Sequence, residues 1–179
     1  MPDLTISSVI FSAVRARRTR ALMADGNDSC MFSCLRSPGN TIAQRGRETA
    51  PAEGSGALLS LADPFACMTV TGIARGISIS LPRKVLAASV PRLEDRFGDA
   101  TPDSEPLRLL RGYVGLLEQD YVLTTPGLRR VVVNHVHDLV ALALGASRDA
   151  AEIANGRGLR ASTPSRPISV PRLASKASA

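Results

Sequence analysis

The sequence of 179 residues predicts an α+β protein, in which a β-rich first half is followed by a pair of helices. Short apolar and β-branched runs, separated by turn residues, fill the first half. In the second half the apolar residues recur at the three-four spacing of an amphipathic helix. The last residues are rich in Ser, Pro and Arg, and such a composition has too little apolar surface to offset the entropy of ordering. We therefore predict a β domain at residues 1–90, a helical region at 102–156 and a disordered basic tail at 157–179.

The predicted strands of the first half are short, and runs at their spacing indicate a small β-barrel or sandwich. Residues 41–44 and 48–50 flank Gly46 and are typical of a hairpin with its turn at that glycine. Residues 76–81 alternate with a period of two, so Ile77, Ile79 and Leu81 are expected to share one face. The other predicted strands are 4–14, 30–35 and 57–61.

Two longer helices are predicted in the second half. Ser104 and Pro106 mark the start of the first, because proline is favoured in the first turn of a helix. Thr125 and Pro126 start the second, with Thr125 as the N-cap, and Gly145 is the expected C-cap. Shorter helices are predicted at 82–90 and 147–153.

The apolar faces of the two longer helices predict an antiparallel helical hairpin, because helices joined by few residues pack side by side. Val136, Val140 and Ala143 widen the apolar stripe of the second helix beyond what one helical partner covers. We therefore expect the β domain or a second copy of the chain to cover the remainder. The residues predicted to form the hairpin core and a dimerisation surface are Leu110, Tyr113, Leu117, Leu128, Val132, His135, Leu139 and Leu142.

The net charge of +6 reflects two basic clusters. Such clusters indicate nucleic acid or an anionic membrane surface as a partner, but aromatic residues make up 3% of the chain, which leaves few side chains on which bases can stack. We therefore favour solvated surfaces and keep two alternatives, a basic nucleic-acid-binding module and arginines at a barrel mouth that bind an anionic effector. The clusters are Arg15, Arg17, Arg18 and Arg20, and Arg157, Arg160, Arg166, Arg172 and Lys176.

His135, His137 and Asp138 form the strongest candidate for a metal or acid–base site, and their spacing argues against it. Residues two apart on a helix point about 200° apart, so the two histidines do not bind one ion together. The three cysteines include one C-x3-C pair, at Cys30 and Cys34, without the second pair of ligands that a structural zinc site needs. We predict no catalytic residue, no metal and no cofactor, and therefore no enzyme.

No segment has the features of a secretion signal or a membrane span. Residues 4–14 are apolar, but arginines follow this run rather than precede it, and the run is too short to cross a bilayer. The odd number of cysteines does not suggest a disulfide framework. The predicted compartment is therefore the cytoplasm, and no membrane partner is expected.

Several segments, taken in order, resemble the sensor region of AraC-family transcription regulators. They include TIAQRGRE at 41–48, LLSLADP at 58–64, ISLPR at 79–83 and LLRGY at 109–113. The resemblance is strongest across 125–133, and then through HVHDL at 135–139 and ALALGA at 141–146. It covers most of residues 5–161.

The resemblance implies a cupin-like effector-binding β domain followed by a helical dimerisation hairpin. Family members continue into two helix-turn-helix units, whereas the residues after Ala161 contain no such pattern. It thus leads us to predict a truncated regulator that senses a small-molecule effector, forms a homodimer or a heterodimer with a full-length AraC-like relative, and does not bind DNA directly. The effector-binding residues are not predicted.

Two further alternatives follow from the same resemblance. A non-functional gene remnant is one of them. An enzyme on a cupin-type barrel is the other, and it is disfavoured because such a barrel holds its metal with inward-facing histidines and carboxylates on strands. Both histidines of this chain, His135 and His137, lie in the helical half.

Overall fold

The structure, a computed structural model, describes residues 4–37, 39–69, 73–118 and 125–146. Short 3-10 turns at Arg20–Asp25 and Leu93–Arg96 supplement the regular elements. Those elements are β1 (Thr5–Ser12), β2 (Arg15–Arg18), β3 (Cys30–Leu35), β4 (Asn40–Gln44), β5 (Arg47–Thr49), β6 (Gly56–Ser60), β7 (Phe65–Thr69), β8 (Ile73–Leu81), α1 (Arg83–Ser89), β9 (Ala100–Thr101), α2 (Glu105–Leu117) and α3 (Pro126–Ala143).

The strands form two antiparallel sheets. The large sheet has the spatial order β1-β8-β3-β6-β9, and the small sheet has the order β2-β7-β4-β5. Sequential neighbours in the chain often lie in different sheets, so the chain crosses repeatedly between them. This two-sheet architecture, followed by two long helices, confirms the predicted α+β fold with a small β-barrel or sandwich.

Alternate residues of the strands of the large sheet point to opposite faces, and other parts of the molecule cover both faces. On one face, Phe32 of β3 and Ile77 and Ile79 of β8 belong to the same buried cluster as Val136 of α3. On the other face, Leu59 of β6 packs with Ile42 of the small sheet. The molecule therefore has three layers, and its larger core lies between the large sheet and the helices.

The predicted hairpin is present as β4 and β5. Its two turn residues, Arg45 and Gly46, have φ angles of 55° and 76°. Positive φ at both central residues defines a type I′ turn, whose twist matches that of antiparallel strands. The predicted turn at Gly46 is thus confirmed, with the strands at Asn40–Gln44 and Arg47–Thr49.

Both predicted long helices are present. The two ends of α3 differ, because hydrogen bonds cap its C-terminal end but no side chain caps its N-terminal end. Gly145 has a φ of 88°, and its amide donates to the carbonyl of Leu142 while the amide of Ala146 donates to that of Ala141. This pattern is a Schellman motif, and it satisfies carbonyls that the helix end leaves without partners. Thr125 occupies the N-cap position of α3, which confirms the predicted start of the helix, and its side chain makes no capping hydrogen bond.

The division into domains at 1–90 and 102–156 stays a prediction. The buried cluster that joins the large sheet to the helices is continuous, and it includes Phe97 and Leu107 beyond the first boundary. β9 also returns to the large sheet by pairing with β6. The predicted helix at 147–153 and the tail at 157–179 lie outside the described residues.

Candidate functional site

A cavity of about 440 Å³ lies between the two sheets. This volume is within the range of small-molecule sites, which is about 300–1,000 Å³. The large sheet contributes one wall and the small sheet the other, and most of the surface that they present to the cavity is apolar. The lining includes Val9, Met31, Ser33, Leu59, Gly76 and Ser78 from the large sheet, and Ala16, Asn40, Phe65 and Cys67 from the small sheet.

The alternation of β3 and β8 assigns neighbouring residues to opposite sides of the large sheet. Ser33 and Ser78 face the cavity and are directly opposite each other in the β3–β8 register. Phe32 and Ile79, their neighbours in sequence, are also opposite each other and belong to the core under the helices. The same two strands therefore form the cavity wall and the seat of the helices.

The cysteines are positioned as packing residues. Burial raises the pKa of Cys67, which borders the cavity, to about 11. Burial likewise raises the pKa values of Cys30 and Cys34, on the helix side of the large sheet, to about 11 and about 12. A thiol with such a pKa is protonated at neutral pH and is a poor nucleophile. Within the described ranges, no group of three or more His, Cys, Asp or Glu side chains is placed to hold a metal ion.

The arginines of the first basic cluster lie away from the cavity. Successive side chains of β2 point to opposite faces of the small sheet, and Ala16 is the residue of β2 that borders the cavity. Arg15 contacts Met68 Sδ at 3.2 Å through its Nη2 atom. Arg18 donates from Nε to the carbonyl of Leu61 at 2.7 Å and pairs with Asp25. Arg17 and Arg18 instead line a separate pocket of about 500 Å³ together with Arg45 and Arg47, so the alternative of arginines that bind an anionic effector stays a prediction.

The structure separates the predicted hairpin residues into three groups. Leu110 and Val132 are buried, whereas Tyr113, Leu117, Leu139 and Leu142 are half-buried. Leu128 and His135 are exposed and do not lie in the hairpin core of the protomer. Val114, Val136 and Val140 are fully inaccessible to solvent, as is Leu110.

Exposed apolar side chains continue across the outer side of the α2–α3 hairpin. Leu109 and Leu116 of α2 are 60% and 56% exposed, and Leu128 and Val131 of α3 are 48% and 46% exposed. The hydroxyl of Tyr113 lies 3.5 Å from Nδ1 of His135, with the rings edge to face, and this contact joins the two rows. We call this surface the outer hairpin face; it consists of Leu109, Tyr113, Leu116, Leu128, Val131 and His135.

A second cluster connects the small sheet to α1. The guanidinium groups of Arg45 and Arg83 lie 4.8 Å and 4.9 Å from the ring centroid of the buried Phe97, and both pair with Glu94. Hydrogen bonds from Arg83, and then from Arg45, hold the pKa of Glu94 below its ordinary value. The sequence offered no signal for this cluster, because Arg45 is distant in the chain from the other members and the set follows no motif spacing.

Comparison with known proteins shows which solved structures share this architecture. No protein-family model matches the sequence, and no curated protein matches it significantly. Among solved structures, the AraC-like transcriptional activator CuxR superposes with a TM-score of 0.70 at 20% identity, over 81% of this chain and 53% of that protein. The chain thus spans about half the length of CuxR and shares its fold, which confirms the predicted resemblance at the level of the fold.

Two further solved structures are similar to a lesser degree. ToxT from Vibrio cholerae, solved with an unsaturated fatty acid bound, has a TM-score of 0.41 at 8% identity, over 79% of this chain and 53% of that one. The cupin domain of Cnp3 from Schizosaccharomyces pombe has a TM-score of 0.39 at 7% identity, over 55% of this chain and 66% of that one. At these scores neither supports an argument about this chain. In the described part of the chain, no helix combines the length and the apolar character that crossing a bilayer requires.

Proposed function

We propose that the chain is the effector-sensing and dimerising region of an AraC-like transcription regulator. The observation that carries the proposal is the position of the large sheet, which has the cavity on one face and the helical hairpin on the other. The fold shared with CuxR supports the same assignment. A sensor must transmit occupancy of a ligand site to a protein-contact surface, and one shared sheet provides a direct path.

The path runs through β3 and β8. A ligand in the cavity contacts Ser33 and Ser78, whose sequence neighbours Phe32 and Ile79 support the buried side of α3. A ligand that favours one arrangement of these strands favours the matching position of the hairpin, because a ligand shifts an equilibrium by its difference in affinity for the two states. The proposed response is therefore a change in how the outer hairpin face is presented.

The proposed partner surface is the outer hairpin face, and the partner is a second copy of the chain or a full-length AraC-like relative. It presents exposed apolar side chains from both helices, which are connected by the Tyr113–His135 contact, and exposed apolar patches mark interaction sites. Recognition of paired DNA half-sites needs two reading heads. A surface that pairs two chains is therefore what readout of such half-sites by a regulator requires.

A non-enzymatic role in the cytoplasm is part of the proposal. Burial keeps the thiols of Cys30, Cys34 and Cys67 protonated, which removes them as nucleophiles. His135 lies on the outer hairpin face beside Tyr113 and away from the cavity. These placements support ligand binding and protein contact in preference to catalysis.

A repression assay tests the proposal. The full chain is fused to a monomeric DNA-reading domain whose operator is occupied only when two such domains are held together. We expect the fusion to repress a reporter from that operator, because the outer hairpin face pairs two chains. Leu116→Glu places a charge in the apolar contact and is expected to abolish repression.

Leu22→Glu is the matched control. Leu22 is also exposed, at 55%, and lies in the 3-10 turn at Arg20–Asp25, outside the helical hairpin. This variant is expected to repress as well as the unchanged fusion. A fusion that is produced and folded yet leaves the reporter active would contradict the proposal.

A further inference from the structure

We propose that the effector of the cavity is an uncharged, compact and mostly apolar molecule whose polar group hydrogen-bonds to the hydroxyls of Ser33 and Ser78. This inference rests on the proposed function, because it names the ligand class of the same cavity. It is argued from the two serines, from the positions of the charged side chains, and from the apolar walls.

The two serines present adjacent hydroxyls to the cavity. Ser33 and Ser78 are register partners in neighbouring antiparallel strands, and the Cβ atoms of such a pair are about 4.5–5.5 Å apart. Both side chains are half-buried and border the cavity. Neither hydroxyl has a hydrogen-bond partner among the residues that the structure describes. A pair of unsatisfied hydroxyls on a mostly apolar surface is a site that a ligand with one or two polar groups satisfies.

Charged side chains are directed away from this space. Arg75 is the charged residue that borders the cavity, and alternation along β8 places its side chain on the face of Ile77, opposite to that of Ser78. Arg15 and Arg17 flank the cavity-lining Ala16 on β2 and point to the opposite side of the small sheet. Arg18 shares the face of Ala16, but it lies outside the cavity lining and is bound to Asp25 and the carbonyl of Leu61. Within the described ranges, no charged side chain that borders the cavity is therefore directed into it.

The remaining walls favour an apolar body. Met31 and Leu59 face the cavity from the large sheet, and Phe65 and Cys67 face it from the small sheet. Moving an ion from water into such surroundings without a partner is strongly unfavourable, whereas apolar surface gains from the transfer. The cavity thus selects against carboxylates, phosphates and amines of the same size.

Three naphthalene probes with the same skeleton test this selection on the full chain. They are the neutral naphthalenemethanol, the anionic naphthoate and the cationic naphthylmethylammonium, all substituted at the same ring position. Titration calorimetry at neutral pH gives the three dissociation constants. We expect the alcohol to bind at least about tenfold more tightly than either charged probe, since only the alcohol enters without losing ion hydration.

Substitutions then locate the polar contact. The double variant Ser33→Ala with Ser78→Ala is expected to weaken binding of the alcohol about tenfold, because two hydrogen bonds are lost. Ser7→Ala is the matched control, since Ser7 is opposite Ser78 in the β1–β8 register but exposed and outside the cavity lining. It is expected to leave the affinity unchanged. Thermal unfolding of each variant verifies that the fold is retained.

The outcomes separate this inference from the proposed function. Tighter binding of naphthoate, or unchanged affinity in the folded double-alanine variant, would overturn the inference while leaving a ligand-binding cavity in place. Binding of none of the three probes would overturn both the inference and the sensing part of the proposed function. The repression assay reports on dimerisation independently of either result.

Discussion

At the scale of single residues, Glu94 is the carboxylate on which two cations converge. Arg83 and Arg45 both pair with it, and both also contact the face of Phe97. Arg45 lies at the tip of the β4–β5 hairpin, whereas Arg83 begins α1. Glu94 therefore joins the small sheet to the segment that follows β8, and its charge state affects the strength of this connection.

We expect the ionised carboxylate of Glu94 to add to the free energy of unfolding at neutral pH and to add less at acid pH. Hydrogen bonds from Arg83 lower the folded-state pKa of Glu94 below its ordinary value of 4.5, so the folded state binds this proton less readily than the unfolded state. The contribution is then complete above the unfolded pKa and is lost as the pH falls through the lower, folded one. Urea unfolding of the native chain and of Glu94→Gln, at neutral and at acid pH, measures the difference.

We expect the native chain to exceed Glu94→Gln in free energy of unfolding at neutral pH, and the gap to narrow in acid. Glu53→Gln is the control, because Glu53 is exposed and has no ion pair with a described residue. A gap for Glu94→Gln that widens in acid would be inconsistent with this role.

At the scale of elements, the predictable parts were those with a clear period. The alternation at 76–81 identified β8, because the buried positions of a strand recur with a period of two. Gly46 identified the β4–β5 hairpin, because the positive φ of its turn favours glycine. β2 and β7 were missed for a physical reason. They have four and five residues, and they are held by pairing with each other and with β4 instead of by their own pattern.

The phase of α3 was harder to predict than its existence. Three successive valines, from Val131 to Val133, give several apolar stripes of nearly equal quality. The structure buries Val132, Val136 and Val140, four residues apart, and leaves Leu128 and His135 outside. The large sheet decides this phase, and a single sequence does not reveal which side of the helix meets it. The cavity was unpredictable for a related reason, since Ser33 and Ser78 have neither charge nor motif spacing.

Two truncations test the phase of α3. Val136 is fully buried, so Val136→Ala is expected to lower the free energy of unfolding by about 2 kcal/mol through lost apolar burial and a residual cavity. Leu128→Ala removes more atoms from an exposed position and is expected to cost less than about 0.5 kcal/mol in the monomer. Urea denaturation at low protein concentration gives both values. A larger loss for Leu128→Ala would show that the buried side of α3 has been assigned incorrectly.

At the scale of the whole molecule, each of the three layers has a different position relative to the cavity. The small sheet closes the cavity, the large sheet is shared, and the hairpin presents apolar surface outward. The family resemblance predicted a cupin-like β domain followed by a helical hairpin, and the likeness to CuxR confirms this fold. The residues proposed to contact an effector or a second chain depend on side-chain direction, which the sequence did not determine.

The most direct test of the central claim is the mass of the full chain in solution, measured by size-exclusion chromatography with light scattering. The account predicts a dimer, about twice the chain mass of 18.9 kDa, and a return to the single-chain mass in Leu116→Glu but not in Leu22→Glu. A folded native chain that elutes at the single-chain mass at micromolar concentration would contradict it, as would a dimer that Leu116→Glu leaves intact.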